Sequence, residues 1–87
     1  MDRAAFEAEL IKDRFSVSEG QMSEAEPKPL HTHDFEARAM VLEGAITLRT
    51  GDTEQTYSVG DIYGLAAGTM HTEVVGPSGV RYVAGKR

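Results

Sequence analysis

The chain has 87 residues, of which 40% are hydrophobic and 26% charged, with a formal net charge of -5 and no cysteine. This length suits a single domain whose core buries roughly 60 to 65% of the unfolded chain's surface, so a partner subunit would add stability. The negative charge opposes the phosphate backbone of nucleic acids, and the absence of cysteine excludes disulfides and thiolate metal sites. No run approaches the roughly 20 apolar residues of a membrane span, and the N-terminus has no apolar signal core, so we expect a cytoplasmic protein without membrane contact.

The N-terminal residues 1–15 predict a short amphipathic helix. Phe6, Leu10 and Ile11 recur at helical spacing, and no Gly or Pro interrupts the segment. Asp2 stands where a capping side chain would accept hydrogen bonds from the first turn.

The rest of the chain predicts an all-β barrel over residues 28–84. Residues 16–23 are weak strand material, and SEAEPKP at 23–29 predicts a loop that leads to the first histidines. From residue 30 onward, short β-branched and apolar runs alternate with glycine-containing turn signals, at a spacing typical of sandwiches and barrels. The predicted strands cover residues 38–42, 45–50, 53–57, 62–65, 71–75 and 80–84.

The predicted strand at 38–42 is apolar on both faces. Met40 and Leu42 project from one face, and Ala39 and Val41 project from the other. A strand that is buried on both sides requires a cover on its outer face. We expect that cover to be the N-terminal helix or a second subunit, and we therefore expect a homodimer.

The three histidines of the chain form the predicted metal site. His31 and His33 are one residue apart, so on a strand both imidazoles project from the same face. His71 begins a separate strand and would complete a facial set of three ligands with open positions. Imidazoles in an apolar barrel are costly unless coordinated or hydrogen-bonded, which favours a metal over the alternative of a metal-free barrel. Nitrogen ligands without thiolate suit divalent zinc, iron, nickel, copper or manganese.

The histidine segments resemble the two sequence motifs of the cupin superfamily. In the segment LHTHDFEARAMVLEGAITL, His31 and His33 match the H-x-H of the first motif, and Gly44 matches its closing glycine. In GDIYGLAAGTMHTEVV, two glycines and His71 match the second motif. The resemblance covers residues 28–84 and implies a double-stranded β-helix, a jelly-roll-like barrel with the metal among its strands.

The chain departs from the motifs at three positions. Ala37 stands where the family's metal-binding glutamate lies, Ala66 replaces the motif proline, and Val75 replaces the terminal asparagine. Glu36 has the opposite strand parity to the first two histidines, so it should point away from them unless a bulge re-aims it. Glu73 shares the parity of the third histidine and is the preferred candidate for a fourth ligand or an acid/base group.

Three functions remain open from the sequence, because a fold of this kind does not imply one activity. The first is a small metal-binding cupin whose ion takes a small oxygen-bearing ligand inside the barrel. The second is a metal-dependent enzyme of dioxygenase or isomerase type that uses Glu73 as acid/base. The third is a metal-free dimeric interaction module. Tyr63 and Tyr82 are interpreted as core residues, with lining of a ligand pocket as the alternative.

Overall fold

A computed structural model describes residues 1–24 and 28–87 of the chain. It contains a helix α1 (Arg3–Lys12) and the strands β1 (Ser16–Met22), β2 (Lys28–His31), β3 (Ala37–Thr50), β4 (Thr53–Ser58), β5 (Ile62–Leu65) and β6 (His71–Lys86). All strand pairs are antiparallel, in the order β1-β6-β3-β4, with β2 also paired to β6 and β5 to β3. The predicted all-β class with an N-terminal helix is confirmed. Residues 25–27 of the predicted loop at 23–29 lie outside the described residues, whereas residues 28–29 belong to β2, so the loop prediction is wrong at these two positions.

The helix begins and ends with local signals. The backbone N–H of Ala5 donates to Asp2 Oδ1 at 2.8 Å, which is the predicted N-terminal cap. Arg14 has a left-handed φ of 66°, and the N–H of Phe15 donates to the carbonyl of Leu10 at 2.8 Å. The helix therefore stops before residue 15. No helix in the described residues is long and apolar enough to cross a membrane.

The helix covers the outer face of the long central strands. Phe6 and Leu10 are fully buried and form one cluster with Phe15, Met40 and Val83, against which Val17 and Leu42 also pack. The cover expected for the two-sided strand is therefore α1. Ile11, grouped with the helix's apolar face in the sequence, is instead 67% exposed.

The inner face of the same strands forms the barrel interior. Its buried cluster consists of Met22, Val41, Ile46, Leu48, Val75 and Val80. Partly buried Tyr57, Tyr63, Leu65 and Tyr82 pack against it. Successive residues of β3 thus serve two different cores, as the period of two in a strand requires.

The predicted strand breaks near residues 43–44 and 76–79 are wrong, because β3 and β6 continue through both segments. Their pairing instead shifts register on either side of Glu43–Gly44, as at a β-bulge. Gly44 has a φ of 78°, and a Cβ there would lie 1.9 Å from the carbonyl oxygen of Gly79. Glycine at this position bends the paired strands without ending them.

Candidate metal centre

The antiparallel pairing of β2 with β6 brings the three histidines together. His31 ends β2 directly opposite His71, which begins β6. His33 lies two residues beyond His31, where its carbonyl accepts a hydrogen bond from the N–H of Gly68 at 2.8 Å. The ring centroid of His31 lies 4.2 Å from that of His71 and 4.9 Å from that of His33, and the ring centroids of His33 and His71 are 5.2 Å apart. The structure therefore assembles the histidine set that the sequence predicts.

Glu73 joins this set from β6. Its Oε1 lies 3.3 Å from His71 Nε2 and 3.7 Å from His31 Nε2. One ligand atom from each of the four residues lies within 4.8 Å of every other. Two nitrogen ligands of one ion are at most about 4.2 Å apart, because each metal–nitrogen bond is about 2.1 Å long. Small side-chain rotations therefore suffice to bring the cluster onto one divalent ion.

The environment of His71 sets which nitrogen is available as a ligand. Its side chain is 1% exposed, and Nδ1 lies 2.9 Å from the carbonyl oxygen of Thr69. A carbonyl only accepts, so Nδ1 carries the proton, and in the neutral imidazole Nε2 then presents a lone pair. Within the described residues, this buried Nε2 has no hydrogen-bond partner. The imidazole and the carboxylate of Glu73 thus face each other as two electron donors, an arrangement that a cation between them would stabilise.

His33 is held as a neutral imidazole. Burial lowers its pKa below the ordinary value of 6.5, and the nearby His31 and His71 lower it further. The ring of Phe35 stacks on that of His33 at 4.7 Å with an interplanar angle of 20°. A neutral ring keeps a nitrogen lone pair for coordination at neutral pH.

The residues on either side of Ala37 face away from the cavity that Ala37 lines. Glu36 points away from the cluster and its Oε1 accepts a hydrogen bond from Arg87 Nε at 2.8 Å. Arg38 also faces outward, where it donates to Asp13 Oδ2 at 3.2 Å. Ala37, at the motif glutamate's position, lines the cavity beside the histidines. The cluster's carboxylate therefore comes from a different strand than the motif predicts.

A cavity of about 410 Å³ opens beside the cluster. Its wall includes His31, His33 and Glu73 together with mostly apolar side chains. Tyr63 and Tyr82 line it as well as packing on the interior cluster, and burial raises the pKa of both phenols. Both tyrosines are therefore neutral at physiological pH.

Two further wall residues, Phe35 and Lys86, were missed by the sequence interpretation. Strand parity held a signal for Lys86, which shares parity with Tyr82 and Ala84 on β6, and these two residues also line the cavity. Phe35 lies between β2 and β3, where strand parity does not apply.

Solved structures show which proteins share this architecture. A protein of unknown function from Rhizobium leguminosarum bv. viciae 3841 aligns with a TM-score of 0.75 and 17% identity, over 85% of this chain and 70% of its own. A cupin-2 domain containing protein from Shewanella frigidimarina aligns with a TM-score of 0.69 and 18% identity, over 84% and 71%.

The polyketide cyclase RemF from Streptomyces resistomycificus aligns with a TM-score of 0.69 and 26% identity over 83% of this chain. The chain spans about half of RemF, since the match covers 54% of that protein. No protein-family model and no curated protein sequence matches the chain. Structural likeness and the two histidine motifs nevertheless agree, and the chain has the double-stranded β-helix fold of the cupin superfamily.

Proposed function

We propose that the protein binds one divalent metal ion through His31, His33 and His71, with Glu73 as the fourth protein ligand. The ion would use its remaining positions to bind a small oxygen-bearing ligand in the cavity. Zinc, iron, nickel, copper and manganese all accept this nitrogen and oxygen donor set.

The observation that carries the proposal is the buried Nε2 of His71. It has no hydrogen-bond partner in the described residues, although leaving a buried polar atom unpaired costs about 1 to 3 kcal/mol. Its Nδ1 is already engaged by the Thr69 carbonyl, as in metal sites where a second hydrogen bond orients the ligating ring. Glu73 adds a negative charge 3.3 Å from the lone pair. A bound cation satisfies both groups at once.

The cavity explains why an ion here would remain reactive toward a ligand. Apolar side chains form most of the wall around one polar corner, as is typical of small-molecule sites. The corner holds the cluster, so a ligand that enters the cavity meets the ion with its polar end.

Elemental analysis of the purified, untagged protein by plasma mass spectrometry tests the proposal. Near-stoichiometric metal is expected in the wild type and none in the His31→Ala, His33→Ala double variant. Glu73→Gln should retain the ion with reduced affinity, whereas the control Glu36→Gln, whose carboxylate bonds to Arg87, should match the wild type. Wild-type protein that stays metal-free after incubation with each of the five ions would contradict the proposal.

A second candidate function is favoured by the position of Glu73. Its side chain is 15% exposed and lies on the cavity wall. A carboxylate held there could move a proton to or from a carbon next to a carbonyl that is polarised by the ion, which is isomerase-type chemistry. RemF, a polyketide cyclase, shares this fold.

Deuterium exchange at the methyl group of pyruvate in D₂O, followed by proton NMR, separates this candidate from simple binding. Metal-loaded wild type should accelerate exchange, and Glu73→Gln should reduce the acceleration by about 10²- to 10⁴-fold at equal metal content. Exchange no faster than with the free ion at the same concentration would leave binding as the function.

A further inference from the structure

An exposed lysine ammonium lies on the wall of the cavity beside the histidines. Among the described residues of this wall, Lys86 is the one Lys or Arg, and it forms no ion pair with any carboxylate in residues 1–24 and 28–87. By contrast, a second depression of about 450 Å³, away from the histidines, contains Arg81, which is bonded to Glu19 and Glu43. The charge of Arg81 is therefore already balanced, whereas no described carboxylate pairs with Lys86.

Phe35 places this ammonium beside the candidate metal centre. Lys86 Nζ lies 4.9 Å from the centroid of the Phe35 ring, and the same ring stacks on His33 at 4.7 Å. The cation–π contact with the Phe35 ring positions the ammonium, but it is not a hydrogen bond from the ammonium N–H groups. An anion would accept such hydrogen bonds. Lys86 is otherwise exposed to solvent at the rim of the cavity.

The charge balance of the cavity favours an anionic occupant. The described wall contains one carboxylate, Glu73, and one ammonium, Lys86. With the proposed divalent ion in place, the cavity would therefore have an excess of positive charge. An entering anion would offset this excess while water is displaced. The excess of positive charge rests on the proposed function, because it includes the bound ion, whereas the positive charge of Lys86 does not.

The other side chains of the wall favour an anion whose uncharged part is apolar. Phe35, Ala37, Ala39, Ile46, Leu65 and Ala84 line the cavity. A fully hydrated inorganic anion would gain nothing from these side chains, whereas an organic acid buries its apolar part against them. We propose that the cavity binds small organic carboxylates with an apolar body, and that the ammonium of Lys86 pairs with the carboxylate.

Binding of benzoate and of its neutral isostere benzamide tests this pairing by titration calorimetry. Wild type should bind benzoate more tightly than benzamide. Lys86→Met, which keeps the stem over Phe35 and removes the charge, should lower benzoate affinity by about three- to tenfold and leave benzamide affinity unchanged. Lys86→Arg should retain the preference, and Lys12→Met, at the exposed end of α1, should match the wild type.

Equal affinities of the wild type for the two compounds, or an unchanged benzoate affinity in Lys86→Met, would overturn the inference. Each titration is run on metal-loaded and metal-free protein together with metal analysis. Metal uptake without a benzoate preference refutes only the role of Lys86. A preference that depends on Lys86 in a protein that takes up no metal supports that role and refutes the metal site.

Discussion

His71 and Glu73 project from the same face of β6, and they meet as two electron donors, with Nε2 and Oε1 3.3 Å apart. The Thr69 carbonyl occupies the other ring nitrogen of His71, so the pair has no proton of its own to share while the imidazole is neutral. Such a pair is costly in a buried site. A cation bound between the two residues would offset this cost.

Metal binding should therefore stabilise the fold. At a free ion concentration 100-fold above Kd the gain is about 2.7 kcal/mol, which corresponds to a rise in Tm of about 10 to 20 °C for a domain of this size. Differential scanning calorimetry of protein treated with chelator and then reloaded measures the shift. His71→Ala should show none, and equal Tm values for loaded and metal-free wild type would contradict the prediction.

A glutamate at position 37, where the family's motif has its metal-binding glutamate, should be able to replace Glu73 as the carboxylate ligand. Ala37 lines the same cavity from β3, so a glutamate there would reach toward the histidines. We expect Glu73→Gln to weaken metal affinity at least about tenfold, and we expect Ala37→Glu on that background to restore most of it. Competition with a chromophoric chelator measures both affinities. If metal affinity does not recover in the double variant, side chains at positions 37 and 73 do not reach the same ion.

Two neighbouring residues of α1 should differ sharply in their contribution to stability. Leu10 is fully buried against the outer core, whereas Ile11 faces solvent. Leu10→Ala should lower the free energy of unfolding by about 2 to 5 kcal/mol through lost burial and a residual cavity. Ile11→Ala should change it by no more than about 0.5 kcal/mol. Urea unfolding followed by circular dichroism compares them, and similar costs would argue against α1 as the cover of β3.

Glu19 should make stability depend on pH in the acid range. Hydrogen bonds from Arg3 and then Arg81 lower its pKa below the ordinary value of 4.5. A carboxyl whose folded pKa is lowered stabilises the fold above that ordinary value, and this contribution is lost as pH falls through the folded pKa. Glu19→Gln should therefore unfold at a lower temperature than wild type at pH 7, with the difference vanishing at low pH. The exposed control Glu9→Gln should show no such convergence.

The expected homodimer would have to use a surface other than the outer face of β3, which first suggested it. Helix α1 already packs on the outer face of β3. Leu30 on β2 and Val74 on the adjoining β6 are exposed apolar residues on paired strands, and we expect the dimer to use them. Light scattering across micromolar concentrations should give twice the mass of the chain, and Val74→Glu should reduce it. A monomer at every concentration would refute the dimer.

Local patterns in the chain were enough to predict most of the fold. The spacing of Phe6 and Leu10 predicted the helix, and alternation along residues 38–42 predicted a strand between two apolar layers. Parity also placed Glu73 beside His71 correctly, because side chains alternate along the regular strand β6. Glu36 points away as predicted, although the chain bends between His33 and Ala37 and does not continue as one strand. The same reasoning failed at Gly44, where a glycine signal that resembles a turn proved to be a bulge within a longer strand.

The sequence by itself determined the residue types of the site, since three histidines at motif positions and the absence of cysteine define the donor set. Only the tertiary structure decided how these donors meet. The pairing of β2 with β6 sets His31 opposite His71, the Thr69 carbonyl engages Nδ1 of His71, and no described residue forms a hydrogen bond with its Nε2. The placement of Lys86 beside Phe35 likewise depends on contacts between residues 51 positions apart. Such contacts follow from strand pairing across the whole chain, and local periodicity carries no information about them.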